Sequence, residues 1–246
     1  MFYTEDVKIE TLRQFAGKMK PLAYIAGVYL GDGWMGRLER YNRWDFRLNT
    51  IDNDFAEATA EAMFELTGRK PKICVHPVSK SSKPNHSITF GCKDLFFLIE
   101  ATANKTCIPD FVKEANREEK LKFVAGIMDS EGYVAKRQKD NALTLGLKAT
   151  GNWMYEFKAL MQSLGVEVGK IGKELLPSGK TAIRFHFNIP SWVESGCYFN
   201  ISRKQDRINK WALNPQRLIR RTSDRMKIES ELHSDMQRLA EMSNPV

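Results

Sequence analysis

The chain has 246 residues, 42% of them hydrophobic, which is enough apolar material for one large cored domain or two small ones. It has neither the run of about 18 apolar residues a membrane span needs nor an apolar leader, so the expectation is an intracellular protein that is not secreted and has no membrane partner. The formal charge of +8 favours an anionic partner, nucleic acid first, and four cysteines without CxxC spacing argue against zinc or a disulfide framework.

Residues 1–19 read as a lead-in, with Leu12, Phe15 and Met19 at helical spacing. Pro21, tolerated in a first helical turn, opens the run Leu22-Ala23-Tyr24-Ile25-Ala26-Gly27-Val28-Tyr29-Leu30-Gly31-Asp32-Gly33. Gly27 and Gly31 share one helix face, and small residues at that spacing let a second backbone come close. Gly33 is expected to end the helix in a left-handed conformation. Asp32 then falls in the last turn, at the negative end of the macrodipole, where a carboxylate is disfavoured. A hairpin follows over 34–39 and 44–50, with a turn at Tyr41-Asn42. Trp44, Phe46 and Leu48 face one way, and Arg43, Asp45, Arg47 and Asn49 the other. Asp52 is placed to cap a helix over 53–67, closed by Gly68. A strand around Ile73 and Val75, a loop over 79–85, a strand with Ile88 and Phe90 inward, and a helix over 93–103 complete an α-β-β-α-β-β-α order.

Residues 104–116 read as a linker, and Asn116 with Glu119 forms a capping-box pattern. The run it opens, Leu121-Lys122-Phe123-Val124-Ala125-Gly126-Ile127-Met128-Asp129-Ser130-Glu131-Gly132, repeats the first one. Ala-Gly stands at its centre, Gly126 and Ser130 are four apart, and Glu131 precedes Gly132, 99 residues after Asp32. The order then recurs: a hairpin over 133–137 and 142–148, a helix over 152–164 closed by Gly165, and strands over 167–172 and 181–189 around Pro177-Ser178-Gly179. Thr50 and Thr150 sit at matching strand ends. Residues 190–202 fit the repeat poorly and read as an insertion with a strand-like piece over 197–202. The tail is basic, with nine Lys/Arg and two acids from Arg203 to Lys227, and ends in an apolar helical stripe of Ile228, Leu232, Met236, Leu239 and Met242. The expected division is 1–108 and 109–246.

If the two apolar helices pack side by side and parallel, both acids reach the same end, a poor arrangement for stability that a divalent cation would reverse. The two runs resemble the LAGLIDADG motifs of homing endonucleases, with residues 25–33 and 124–132 in the nine positions. The family's catalytic acid, the eighth position, is Asp32 and Glu131. The sixth, which is not its metal ligand, is Leu30 and Asp129. Two copies imply the single-chain form, an α+β fold of two pseudo-symmetric halves whose antiparallel sheets make a DNA-binding saddle around central motif helices. The resemblance implies a monomeric, site-specific endonuclease that breaks both strands of double-stranded DNA with Mg2+, Mn2+ or Ca2+ standing in for binding. Asp32 and Glu131 would be catalytic acids and metal ligands, with the carbonyls of Gly31 and Ser130 contributing. Family members are encoded in introns or inteins, and without flanking splicing residues an intron-encoded protein is the expectation. An RNA maturase acting on intron RNA, and a DNA-binding regulator without cleavage, are the alternatives.

The outward strand faces carry residues suited to base edges, since Arg pairs with guanine and Asn with adenine in the major groove. The competing reading is a solvated sheet face. The DNA-contact candidates are Arg37, Arg40, Arg43, Arg47, Asn49, His76, Lys136, Arg137, Lys139, Lys148, Arg184 and His186, with Thr144 and Asn188 on the same faces. Arg37 and Lys136, each five residues after its acid, together with Lys93 and Lys113, are candidates for a basic group beside the metals.

Overall fold

The structure, a computed structural model, describes residues 13–77, 83–91, 93–103, 105–137 and 142–213. Leu12, Cys92, Lys139, the turn at Asp140-Asn141 and the apolar stripe over 228–242 lie outside the described residues. The chain divides into two units, Met1–Gln205 and Asp206–Val246. In chain order the elements are α1 (Met19–Leu30), β1 (Trp34–Leu38), a 3-10 turn (Glu39–Tyr41), β2 (Arg43–Thr50), α2 (Asn53–Thr67), β3 (Ile73–His76), β4 (Asn85–Gly91), α3 (Lys93–Ala103), α4 (Asp110–Lys113), α5 (Arg117–Glu131), β5 (Gly132–Lys136), β6 (Leu143–Thr150), α6 (Trp153–Ser163), β7 (Gly172–Leu175), β8 (Thr181–Phe187), α7 (Ile189–Glu194) and α8 (Ser202–Ala212). The fold is α+β, with two four-stranded antiparallel sheets of the same order, β1-β2-β4-β3 and β5-β6-β8-β7.

Helices α1 and α5 form the centre of the first unit. From Pro21 to Leu30 every residue of α1 is buried, as is every residue of α5 from Phe123 to Asp129. A helix apolar on all sides has to be enclosed, which explains why these runs lack a polar face. The glycines set the separation. A Cβ on Gly27 would stand 2.3 Å from the Phe123 carbonyl oxygen, and one on Gly126 would stand 2.3 Å from that of Tyr24. At the next turn a Cβ on Gly31 would meet Ser130 Cβ at 2.3 Å. The contacts ascend together in both helices, so the pair is parallel.

Local signals fix several boundaries. Asn116 and Glu119 close a capping box at the start of α5, with bonds of 3.1 and 3.0 Å. Gly68 ends α2 at φ +72°, and Gly165 follows α6 at φ +88°, both left-handed as expected.

The ends of the motif helices differ from expectation. Gly132 leaves α5 at φ −75°, ψ 147°, straight into β5, and Gly33 has no positive φ. These glycines are there for space: a Cβ on Gly132 would lie 2.5 Å from the Met128 carbonyl oxygen, and one on Gly33 would lie 2.8 Å from Tyr29 Cα. Helix α1 ends at Leu30, so Asp32 lies in the turn beyond it, whereas Glu131 is the last residue of α5.

Four further expectations change. The turn closed by Leu176 N–H to Lys180 O (2.9 Å) sets Leu175 opposite Thr181, so the edge strand is Gly172–Leu175. Residues 167–171 add only the Val168–Phe187 bridge. The expected insertion contains α7, which follows β8 as α3 follows β4, and residues 197–202 form no strand. The linker contains α4. Asp52 sits at the N-cap of α2 without capping it, because its carboxylate is taken by Arg203.

Candidate active site

The parallel pair delivers Asp32 and Glu131 to one end. A Cβ on Gly31 would stand 3.3 Å from Glu131 Cγ, so the two motif termini touch. Asp32 is exposed on an open cleft of about 450 Å³ that it shares with Asn49, Thr50, Asp52, Ser130 and Lys204. The protein packed around its carboxyl still pushes Asp32 above its usual range by desolvation, against the pull of Lys204 and Lys105. Desolvation, then the negative charge of Asp32, push Glu131 up to about 7, again against Lys105 and Lys204. Two carboxyls this close titrate as a pair, and the structure disfavours both being ionised.

The two lysines are a constituent the sequence reading missed. Lys105 Nζ donates to the Gly31 carbonyl oxygen at 3.0 Å. Lys204 Nζ donates to those of Met128 (3.0 Å) and Asp129 (2.8 Å). Each ammonium thereby binds carbonyls at the end of one motif helix, that of Met128 also accepting the Gly132 N–H. Lys204 is 6% exposed, and burial lowers it to about 8, with Asp129 pulling back. A signal was available: each lysine lies 73 residues after the acid of its own half. The basic residues named as candidates are elsewhere. Arg37 lies opposite Trp44, 5.7 Å from its ring, on the sheet side that carries Phe46. Lys136 lies opposite Leu143 at the far end of β5. Lys113 pairs with Asp110 and Glu156, and Lys93 starts α3.

On the other side of the first sheet, register aligns Arg47 with Trp34 and Thr89, and Asn49 with Ser87. Asp45, 1% exposed, receives Arg43 Nε at 2.6 Å and Nη2 at 2.9 Å, and Arg47 Nη2 at 3.4 Å. Arg47 also lies 5.1 Å over the Trp34 ring. Asp45 is thus an anchor that aims two arginines outward. His76 shares a 2.9 Å bond with Ser87 Oγ, and Arg40 lies over Tyr41 in the hairpin turn. In the second sheet Lys148 lies opposite Arg184 and bonds Glu174 at 2.9 Å. His186 meets the Tyr133 ring edge-on, and Arg137 is exposed just past β5. Asn188 is not free to read a base, since its Oδ1 accepts Ser191 N–H and caps α7.

A divalent cation fits the acid pair. It would favour the anionic form of both carboxylates, which the protein alone opposes. Gly31 O has one lone pair engaged by Lys105 and retains the other. Among the described residues no group of three or more His, Cys, Asp or Glu is arranged to hold a metal ion. A cation here would therefore rest on two carboxylates, the free lone pair of the Gly31 carbonyl and water, which suits Mg2+.

The acid pair has a measurable effect on stability. The folded protein holds the Glu131 proton up to about pH 7, whereas the unfolded chain releases it near 4.5. Metal-free stability should therefore fall as pH rises through that window. Asp129, pushed up to about 6, adds to the slope only at its lower end. Glu131→Gln should flatten the slope above pH 6 and add about 2 kcal/mol at pH 8, a melting point about 4–8 °C higher. Melting curves against pH check this, and an unchanged slope would place Glu131 in water.

No protein-family model matches the chain. It is 25% identical over 186 residues to the ribonucleoside-diphosphate reductase NrdEB subunit alpha of Bacillus subtilis (strain 168), and to the same protein of Bacillus phage SPbeta. The match takes in 65% of this chain and spans 16% of the length of those proteins. Among solved structures, the homing endonuclease I-WcaI bound to its DNA recognition sequence aligns at a TM-score of 0.53 and 12% identity, over 76% of this chain and 86% of that one. Mesophilic variants of the homing endonuclease I-DmoI align at 0.48 and 18%, over 72% and 93%. The N-terminal LAGLIDADG domain of DUF199/WhiA aligns at 0.47 and 14%, over 79% and 88%.

Proposed function

This chain has the two-motif LAGLIDADG fold, and we propose that it is a site-specific DNA endonuclease that uses a divalent cation, magnesium first, to break both strands of a long duplex target. The observation that carries the reading is the meeting of Asp32 and Glu131 at one end of a parallel helix pair, where desolvation of both carboxyls and the charge of Asp32 on Glu131 oppose ionisation. A protein that only gripped phosphates would gain nothing from carboxylates at that point.

Bound Mg2+ supplies a Lewis acid for the phosphoryl oxygen and neutralises its developing charge. Asp32 and Glu131 would hold the cation. Lys105 and Lys204, fixed by helix-end carbonyls, would set two ammonium groups at the same helix ends to steady the phosphate. The sheets grip and read the duplex through Arg43, Arg47 and Asn49 on one side and Lys148, Arg184 and His186 on the other. The halves 1–108 and 109–246 each take one side of the target, so a monomer suffices. An intron-encoded protein working inside the cell would use this activity at its own insertion site.

Incubation with host genomic DNA and Mg2+, followed by sequencing of the new ends, should return one recurrent double-strand break. Ca2+ should support binding with little cutting. Binding without cutting in Mg2+ or Mn2+ would make the chain a DNA-binding regulator, and no affinity for duplex DNA would end the reading. Affinity should also fall about a thousandfold between 50 and 200 mM salt if about six phosphates are contacted. A flat response in filter-binding titrations would remove the phosphate contacts.

A further inference from the structure

Four consecutive residues ahead of Lys204 are each held by an aspartate. Asn200 donates its backbone N–H to Asp129 Oδ1 at 2.9 Å and its side-chain Nδ2 to Oδ2 at 2.8 Å. Ile201 N–H reaches Asp129 Oδ1 at 3.3 Å. Ser202 N–H donates to Asp54 Oδ2 at 2.5 Å, and Arg203 makes a fork to Asp52 at 2.6 and 2.7 Å. The next side chain is Lys204, whose ammonium sits on the Met128 and Asp129 carbonyls.

We propose that Asp129, Asp54 and Asp52 form a carboxylate clamp that positions Lys204, and that the clamp sets the rate of one strand cut separately from the other; the second clause rests on the nuclease reading. The three acids come from two directions. Asp129 belongs to α5 of the second half, while Asp52 and Asp54 stand at the start of α2 in the first. Lys204 is therefore located from both halves at once. Asp129 is 2% exposed, and both its oxygens are already used, since Oδ2 also accepts Tyr24 Oη at 3.0 Å. A buried carboxylate with this many donors fixes a chain segment and has little left for a cation.

The first half is built differently. Its sixth motif position is Leu30, which is buried and offers no acceptor. The segment after Lys105 is tied instead through Ile108 N–H to Glu156 Oε2 at 2.8 Å. The two lysines also sit at different motif ends: Lys105 bonds the carbonyl of Gly31, just after α1, and Lys204 bonds those of Met128 and Asp129 in the last turn of α5. Loosening Lys204 therefore disturbs the end of one motif helix more than the other.

The test has two arms. In the first, the DNA-free protein is treated with acetic anhydride and lysine labelling is followed by peptide mass spectrometry. Wild-type Lys204 should label slowly. Asp129→Asn, Asp52→Asn and Asn200→Ala should each raise its labelling at least fivefold while Lys105 is unchanged. Asn200→Ala removes the Nδ2 bond to Asp129 and keeps the apolar core intact. Unchanged Lys204 labelling in all three overturns the clamp, whether or not the protein cuts DNA. In the second arm, a duplex carrying the recovered site is labelled on each strand separately. The three variants should slow the strand that Lys204→Met slows at least tenfold more than the other, with affinity in Ca2+ unchanged. Equal slowing of both strands overturns strand control. A wild-type protein that cuts neither strand ends the nuclease reading and the strand clause with it, and leaves the clamp to be decided by labelling.

Discussion

Gly126→Ala, the addition of one methyl group, is expected to lower stability by about 4 kcal/mol, a fall in melting temperature of about 8–16 °C. The new Cβ would stand 2.3 Å from the Tyr24 carbonyl oxygen and 2.9 Å from the Val28 nitrogen. Both are backbone atoms of the opposite helix, so no side chain can turn aside. Relief requires α1 and α5 to separate, which opens gaps among Leu22, Ile25, Phe123 and Ile127, all 0% exposed. Overpacking alone costs about 1–3 kcal/mol, and the lost dispersion contacts add to it. Gly27→Ala should do the same through the Phe123 carbonyl. Gly68→Ala is the control. It is at φ +72° with nothing within 4 Å of an added Cβ, so it carries only the backbone penalty of about 1 kcal/mol. Thermal melts of the three variants decide the matter: equal losses at Gly126 and Gly68 would mean that the helix backbones are not in contact.

The same glycines show which parts of the structure could be read in the sequence. The bounds of α2 and α3 follow from periodicity and from Gly68, and the start of α5 from its capping box. These are signals confined to a few adjacent residues. Gly33 and Gly132 are legible as glycines, but their reason is crowding by the preceding helical turn, which the sequence cannot distinguish from a left-handed cap. Asp52 carried an N-cap signature and was drawn to Arg203 instead, because a charged fork from 151 positions away outcompetes a local amide. Lys105 and Lys204 carry no signal in the neighbourhood of either acid. The hydrogen bonds that bring them in cross 74 to 76 residues, and only the 73-residue spacing from each acid recorded them.

The acids themselves give the sharpest functional outcome. Asp32→Asn and Glu131→Gln should each reduce cutting of at least one strand about a thousandfold or more, some 4 kcal/mol of barrier. DNA affinity measured in Ca2+ should not weaken. Both replacements keep an oxygen and nearly the same volume, so a loss reports the missing charge rather than a hole. The removal of a negative charge beside phosphate should, if anything, tighten binding at low salt. The two variants should also part company without metal, since desolvation and the charge of Asp32 both push Glu131 up, whereas desolvation alone pushes Asp32 up. A protein that gains stability and keeps its grip on DNA while losing cleavage would be showing an acid retained for chemistry against the interest of the fold. Single-strand-resolved rates that match wild type in both variants would leave the carboxyl pair without a catalytic role. Glu131→Asp then separates charge from reach: it restores the anion one methylene shorter, so partial recovery of cutting means the cation is held at a distance that glutamate alone spans.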